Sequence, residues 1–387
     1  MLLQLSDEQL QLQSLLRRVA RERVAPRAAE IDRTAEYPQD MFDLLKELGL
    51  FSLHFPERYG GTGSLVTACL AVEELGRVCY NTAYLLVLQW STFGGIMLAG
   101  TEAQKKRLLP GLAKGDIRAS ISVTEPQSGS DVAGILTRAD KCEGGYRLNG
   151  AKVYCTNSTV ADIFVVAAKT DPSKRHAGIS AFVVERDTPG FSIGEPENKL
   201  GARGVPSCPL YFDEAFVPDD ARLGEEGAGF RAIMDAFNHG RPIMGARGVG
   251  LAQGAMELAA SFVEERQAFG QKVADFQGVQ WMIADMAMKT EASRALVYKA
   301  ASLADQGVTG KPLAMAAAMA KCFATDTAMQ VATDAVQLWG SAGISKDNPI
   351  ERYFRDAKVL QIIEGTNQIQ RNLIGRWTLK DLNEGVA

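Results

Sequence analysis

Val359-Leu-Gln-Ile-Ile-Glu364-Gly-Thr-Asn-Gln-Ile-Gln-Arg371 sets one carboxylate between two isoleucines and a glycine. Ile362 and Ile363 make the approach to the acid apolar, and Gly365 removes a side chain beside it, so that a ligand can come close to the backbone. Thr366 and Gln368 add a hydroxyl and an amide. A ligand that covers such an acid strips away its water, and desolvation moves the pKa toward neutrality. Glu364 is therefore a candidate general base. Taken alone, Glu-Gly-Thr also describes a helix end with its glycine stop, so the choice falls to the rest of the chain.

At 387 residues, with 46% hydrophobic and 23% charged, the chain is ordinary globular material long enough for two or three domains. A net charge of -4 leaves no electrostatic footprint for nucleic acid. No apolar run reads as a bilayer span. Asp7 and Glu8 follow Ser6 without the apolar core of a signal peptide. The expectation is a cytoplasmic protein with no membrane partner. Cys69, Cys79, Cys142, Cys155, Cys208 and Cys322 form no CxxC pair and read as free thiols. His54, His176 and His239 are far apart, so no metal is expected. There is no GxSxG elbow for a serine nucleophile.

The organisation reads as helix, sheet, helix. Ser6 with Gln9 and Thr101 with Gln104 are capping boxes that open helices, the second running to Lys114. A helix follows Pro38 and stops at Gly49, and others cover about 64 to 78 and 81 to 98. Residues 1–118 thus form a helical domain. Residues 119–226 alternate short apolar segments with glycine, proline and aspartate: Ala119–Val123, Tyr146–Leu148, Lys152–Cys155, Ile163–Thr170, Ile179–Glu185 and Pro209–Phe212 read as strands of a barrel or sandwich. Asn149-Gly150 reads as a hairpin turn between two of them. Residues 227–387 return to the helical period and suggest a bundle of about four helices, the first interrupted between Asn238 and Pro242. The wide apolar arcs of this bundle point to oligomerisation or a thick core.

Three further stretches bear on Glu364. Ile121-Ser-Val-Thr-Glu-Pro-Gln-Ser-Gly-Ser-Asp131 packs hydroxyls and backbone N–H groups into a loop able to satisfy a polar heteroaromatic edge or a phosphate, though the same residues suit a solvated loop. In Lys152-Val-Tyr-Cys-Thr-Asn157, Tyr154 and Thr156 alternate on one strand face. Arg266-Gln-Ala-Phe-Gly270 sets a cation at a helix end, where it also complements the helix dipole.

With LGARG at 200–204, FDEAFVP at 212–218, AVQLWG at 335–340 and RDAKVLQIIEGTNQIQR at 355–371, these stretches resemble the acyl-CoA dehydrogenase flavoprotein family in order and over essentially the whole chain. The resemblance implies an α+β fold: an N-terminal helical domain, a middle β-barrel domain and a C-terminal four-helix bundle, assembled as a homotetramer. It implies FAD as cofactor, an acyl-CoA substrate and an electron-transfer flavoprotein as electron acceptor. Glu364 matches the base that removes the α-proton while the β-hydrogen leaves as hydride to flavin N5, giving a 2,3-enoyl-CoA. Ile121, Val123, Thr124, Ser130, Tyr154 and Thr156 match residues around the flavin. Arg266, Phe269 and Gln277 match FAD contacts that come partly from a neighbouring subunit. Gln337, Leu338, Gly340 and Ser341 match the segment beside the FAD phosphates and adenosine, and Thr366 and Gln368 match further cofactor contacts. Ser130, Asn238, Arg241 and Gly365 match positions beside the CoA thioester. Gln89, Trp90, Phe93 and Ile363 are the acyl-pocket candidates, with Trp90 and Ile363 favouring a short, branched or cyclic acyl group. Tyr154, Ala268 and Ile363 depart from the family's frequent Trp, Thr and Tyr. Gly240 stands where some branches carry their base, which favours Glu364 here. A flavin acyl-CoA oxidase-like enzyme and a non-catalytic FAD-binding assembly protein remain as alternatives.

Overall fold

The computed structural model describes residues 4–384. Ser6 Oγ accepts from the Gln9 N–H at 3.2 Å, while the Gln9 side chain accepts from the Ser6 N–H at 3.1 Å, so the chain opens with the expected capping box. It starts α1 (Asp7–Val19). Then follow α2 (Ala28–Thr34), α3 (Gln39–Glu47), α4 (Leu65–Gly76), α5 (Tyr80–Ala99) and α6 (Glu102–Lys114), the last capped by Thr101 as expected. The strands are β1 (Ala119–Ser122), β2 (Arg138–Cys142), β3 (Gly145–Thr156), β4 (Ile163–Lys169), β5 (Ile179–Glu185), β6 (Phe191–Ile193), β7 (Ser207–Pro218) and β8 (Arg222–Leu223). Next come α7 (Gly229–Glu265), a small hairpin of β9 (Gln267–Ala268) and β10 (Gln271–Lys272), α8 (Gln277–Asp305), α9 (Gly310–Trp339), α10 (Ile350–Ile362) and α11 (Asn367–Glu384).

The eight strands run in the order β6-β7-β3-β2-β4-β5-β8, with β1 joined in parallel to β4. Their own apolar core includes Tyr146, Phe164, Phe182 and Phe212. The expected barrel does not close, because the terminal strands β6 and β8 are not paired with each other. A second, larger core unites the helices before and after the sheet: α7 packs on α4 and α5 as well as on α8 and α9.

Four sequence expectations give way. Asn149-Gly150 is not a hairpin turn; β3 runs through it with a shift of register against β7. The Asn149 amide clasps Glu214, donating to its carboxylate at 2.7 Å and accepting from its N–H at 2.9 Å. Gly150 has φ 143°, and a Cβ there would stand 2.8 Å from Thr137 Cα, so glycine is required for close approach rather than for a turn. We expect Gly150→Ala to cost about 1–3 kcal/mol in denaturant unfolding; a change within about 0.5 kcal/mol would contradict this.

The alternation of Tyr154 and Thr156 also fails. Tyr154 has φ 56° and sits at a second register shift, so the strand is not regular there. Pro242 does not interrupt α7, which is continuous. A proline inside a helix costs about 3 kcal/mol, and burial of every residue from Arg241 to Leu251 offsets it. Finally, the 20-residue α5 is by length and composition apolar enough to cross a membrane, but most of it is buried as a core helix.

Candidate functional site

α10 ends at Ile362, and the Ile363 N–H still bonds back to the Val359 carbonyl at 3.1 Å. Glu364 and Gly365 then take left-handed φ values of 53° and 89°, and α11 begins at Asn367. The helix-stop reading and the base reading thus describe the same turn. A left-handed non-glycine residue is strained and persists only when its surroundings fix it. Here they do. Lys321 of α9, fully buried, donates to the Gly365 carbonyl at 2.9 Å and to Asn367 Oδ1 at 2.8 Å. Gln370 donates to the same carbonyl at 3.1 Å. A Cβ on residue 365 would stand 2.7 Å from the Gln370 amide nitrogen. Thr366 is spent on the turn too, its hydroxyl accepting from the Ile369 N–H at 3.3 Å, while Gln368 is exposed.

Across from this turn lies α7. A Cβ on Gly240 would be 3.7 Å from Glu364 Oε2, so the carboxylate rests against that glycine. Arg241, 6% exposed, donates to Asn238 Oδ1 at 2.5 Å. Arg247 is wholly buried, its guanidinium carbon 3.8 Å from the Tyr84 ring centre and 4.5 Å from that of Tyr80. Burial pushes the Glu364 carboxyl above its ordinary range, and Arg247, Lys321 and Arg241 pull it back, in that order. Burial in turn brings the Lys321 ammonium down to about 8, with Glu364 opposing. Burial raises the Tyr84 phenol, Arg247 lowers it, and Glu364 raises it again, so the three groups share one field. Thr156 also acts on that phenol, which ties the end of β3 to the cleft.

The sheet supplies the opposite wall. The Thr124 carbonyl accepts from the Val153 N–H at 2.9 Å, and the Ser120 hydroxyl donates to the Thr156 carbonyl at 2.7 Å. This brings Ile121, Val123 and Thr124 beside β3. Thr156 Oγ1 lies 3.1 Å from Ser207 Oγ. Tyr154 is 63% exposed, Ser130 is exposed, and Ser122 Oγ and Asn157 Oδ1 are buried without a hydrogen-bond partner. An exposed aromatic on a strained backbone, with hydroxyls alternating along the adjoining edge, fits a flat heteroaromatic with polar rim atoms. Behind it Lys152 and Glu125, both buried, pair at 2.7 Å, and Glu125 also accepts from the Leu136 and Thr137 N–H groups at 2.5 and 2.9 Å.

The remaining candidates separate. Asn238 and Arg241 lie near the start of α7, whereas Arg266 caps its far end. The 25 residues between Arg241 and Arg266 span roughly 37 Å at 1.5 Å each. Phe269, 96% exposed, and exposed Gln277 flank the β9–β10 hairpin at that far end. Gln337, Leu338, Gly340 and Ser341 end α9 at the same place, since Trp339 stacks on Phe262 and donates to the Leu258 carbonyl. One chain therefore carries two separate half-sites.

Of the acyl-pocket candidates, Gln89 is spent on structure: its amide donates to the Leu112 and Ile117 carbonyls and accepts from the Ala119 N–H, so it does not line a pocket. Trp90 donates to the Phe51 carbonyl at 2.8 Å, and Phe93 packs on Phe55, with His54 against both Trp90 and Phe93. Ile363 is partly buried beside Glu364. Burial and nearby His239 hold His54 down at about 4, so it is a neutral wall near Gly240. Sequence reasoning missed Lys321, Arg247, Tyr84 and the Lys152–Glu125 pair. The available signal was a lone cation inside a small, apolar run, as in Met244-Gly-Ala-Arg247-Gly-Val-Gly and Ala318-Met-Ala-Lys321-Cys-Phe-Ala.

Asp356, on the helix that leads to Glu364, is buried and accepts from the Ala202 N–H at 2.7 Å. Burial pushes its carboxyl up to about 7. The folded state then holds a proton that the unfolded chain has released, from about pH 4 to about 7, so this group's contribution to stability falls as pH rises through that window. Asp356→Asn should gain on the parent between pH 5 and 8 in denaturant unfolding; a constant gap would contradict this.

A desolvated acid on a strained turn, ringed by cations and faced by a hydroxyl-rich sheet edge, defines a proton-abstracting enzyme on a helix–sheet–helix scaffold. Three family models, described as the N-terminal, middle and C-terminal domains of acyl-CoA dehydrogenase, match residues 6–116, 120–215 and 227–379. The chain is 43% identical to a probable acyl-CoA dehydrogenase of Mycobacterium leprae, over 98% of this chain and 97% of that protein. It is 44% identical to the cyclohex-1-ene-1-carbonyl-CoA dehydrogenase of Syntrophus aciditrophicus, over 96% and 90%. The structure of butyryl-CoA dehydrogenase from Megasphaera elsdenii superposes with a TM-score of 0.94 at 38% identity, over 98% and 100%. The chain belongs to the acyl-CoA dehydrogenase family. It is an oxidoreductase, an acyl-CoA dehydrogenase.

Proposed function

We propose that Glu364 is the general base that takes the α-proton of a short, branched or cyclic acyl-CoA, with FAD bound against the edge formed by Ile121, Val123, Thr124, Tyr154 and Thr156. The observation that carries this is the placement of the Glu364 carboxylate against Gly240, with its proton affinity raised by burial and three cations around it. Bound FAD supplies the hydride acceptor. The chain's own part is to hold the thioester between α5, α7 and the Glu364 turn, exclude water and receive the proton at Oε1 or Oε2. Gly365 leaves the backbone open beside the thioester, and Asn238, Arg241 and Ser130 are the polar groups offered to the CoA portion.

The acyl pocket is shallow on this reading. A Cβ on Gly94 would stand 3.2 Å from Ala236 Cβ, so α5 and α7 close on each other one turn before Gly240. His54, Trp90 and Phe93 form the adjoining aromatic wall. The two half-sites, too far apart for one ligand within a chain, join if Arg266, Phe269, Gln277 and the segment Gln337–Ser341 complete a neighbour's cofactor site; this supports a homotetramer. An electron-transfer flavoprotein then receives the electrons in the cytoplasm.

The test is a panel of butyryl-, isobutyryl-, cyclohexanecarbonyl- and palmitoyl-CoA with an artificial electron acceptor. The first three should be turned over fastest. A preference for palmitoyl-CoA would overturn the substrate reading.

A further inference from the structure

Arg247 is a fully buried cation with nothing to neutralise it. One guanidinium nitrogen, Nη2, donates to the Met244 sulfur at 3.0 Å, but Nε and Nη1 have no partner. Among the described residues no carboxylate lies within ion-pair distance of it. Burying a charge this way costs several kcal/mol, so a purely structural role is a poor account of it.

Its placement points in one direction. Gly240, Met244 and Arg247 follow the i, i+4, i+7 spacing and share a face of α7. Helical side chains lean toward the helix N-terminus, and the contact with Met244 shows that Arg247 does so. It therefore reaches back toward Gly240, the residue on which the Glu364 carboxylate rests. Tyr84 and Tyr80 of α5 cover the guanidinium, so water cannot screen it.

We propose that Arg247 is a positioning residue for Glu364: a fixed, water-free positive charge that keeps the carboxylate ionised and directed into the cleft once substrate has closed it. The inference rests on Glu364 being the base. Arg247 is one of several charged or titratable groups around that carboxylate. Arg241 approaches from the same helix, Lys321 from α9, and Tyr84 and Tyr80 from α5. Arg247 is set apart by having no other anion or strong acceptor, whereas Lys321 is engaged with Gly365 and Asn367, and Arg241 with Asn238. Lys321 titrates at about 8, and burial keeps both phenols above their ordinary range, so a profile read below pH 7.5 reports on Glu364 with the remaining cations charged.

The experiment follows flavin reduction in a single anaerobic turnover from pH 5.5 to 7.5, using the FAD-loaded enzyme and whichever of butyryl-CoA and cyclohexanecarbonyl-CoA reacts faster. Arg247→Gln should move the pH midpoint up by about one unit, and Arg247→Lys should bring it back. The affinity for free CoA should not change. The thermal midpoint of Arg247→Gln should match or exceed that of the parent, since an unpaired buried charge is removed. An unmoved midpoint, an equal loss of rate at every pH, or a loss of CoA affinity would each overturn the proposal. Glu364→Gln run alongside separates the two ideas: if it keeps the parent's pH profile, the base assignment itself has failed.

Discussion

Glu364→Gln should bind FAD like the parent yet dehydrogenate its best acyl-CoA about 10²–10⁴-fold more slowly, the range that a general base contributes. The amide has the carboxylate's shape, so the turn at Glu364 and Gly365 should survive. That turn is held from outside the residue, by Lys321 and Gln370 on the Gly365 carbonyl and by Asn367, whose amide donates to Thr325 Oγ1 at 2.9 Å and Asp326 Oδ1 at 2.6 Å. No hydrogen bond within the described residues depends on the Glu364 carboxylate, so its neutralisation should not loosen the fold. The loss belongs in the chemical step rather than in CoA affinity. Near-parental turnover would place the base elsewhere in the cleft.

Lys152→Met should be the most destabilising single change in the sheet, by about 3–5 kcal/mol, because it leaves the Glu125 carboxylate buried and alone. Burial works against charge on both partners; their attraction and the Thr137 and Leu136 contacts hold the Glu125 carboxyl below its usual range. The pair also fixes the loop that carries Thr124 and Ser130, since Glu125 grips the chain at Leu136 and Thr137 on the loop's far side. FAD content should therefore fall with stability. Glu125→Gln combined with Lys152→Met should recover part of the loss. The exposed pair of Lys141 and Asp219 is the contrast: Asp219→Asn should cost at most about 1 kcal/mol. Equal effects at the two pairs, in urea unfolding, would contradict this ranking.

The caps, the helix limits near Lys114 and Gly49, and the change from helix to strand near residue 119 were legible because each depends on a local rule. So was Glu364, since isoleucines, a glycine and an acid are adjacent in sequence. Asn149-Gly150 was misread because turn chemistry and bulge chemistry use the same dipeptide; Thr137, which decides between them, lies on another strand. Pro242 was misread because the helix rule omits the surrounding burial that α4, α5, α8 and α9 supply. Gln89 looked like a pocket residue until its partners, Leu112, Ile117 and Ala119, were in view. Arg247 and Lys321 were invisible for the same reason: what marks them is encasement, a tertiary property of residues that look ordinary along the chain.

The most direct test asks where the α-proton goes. FAD-loaded protein is incubated anaerobically in D₂O with a saturated butyryl- or cyclohexanecarbonyl-CoA, and deuterium at the α-carbon is measured by mass spectrometry. Incorporation by the parent enzyme and none above background by Glu364→Gln is the result expected. Exchange by Glu364→Gln at the parent's rate would contradict the account.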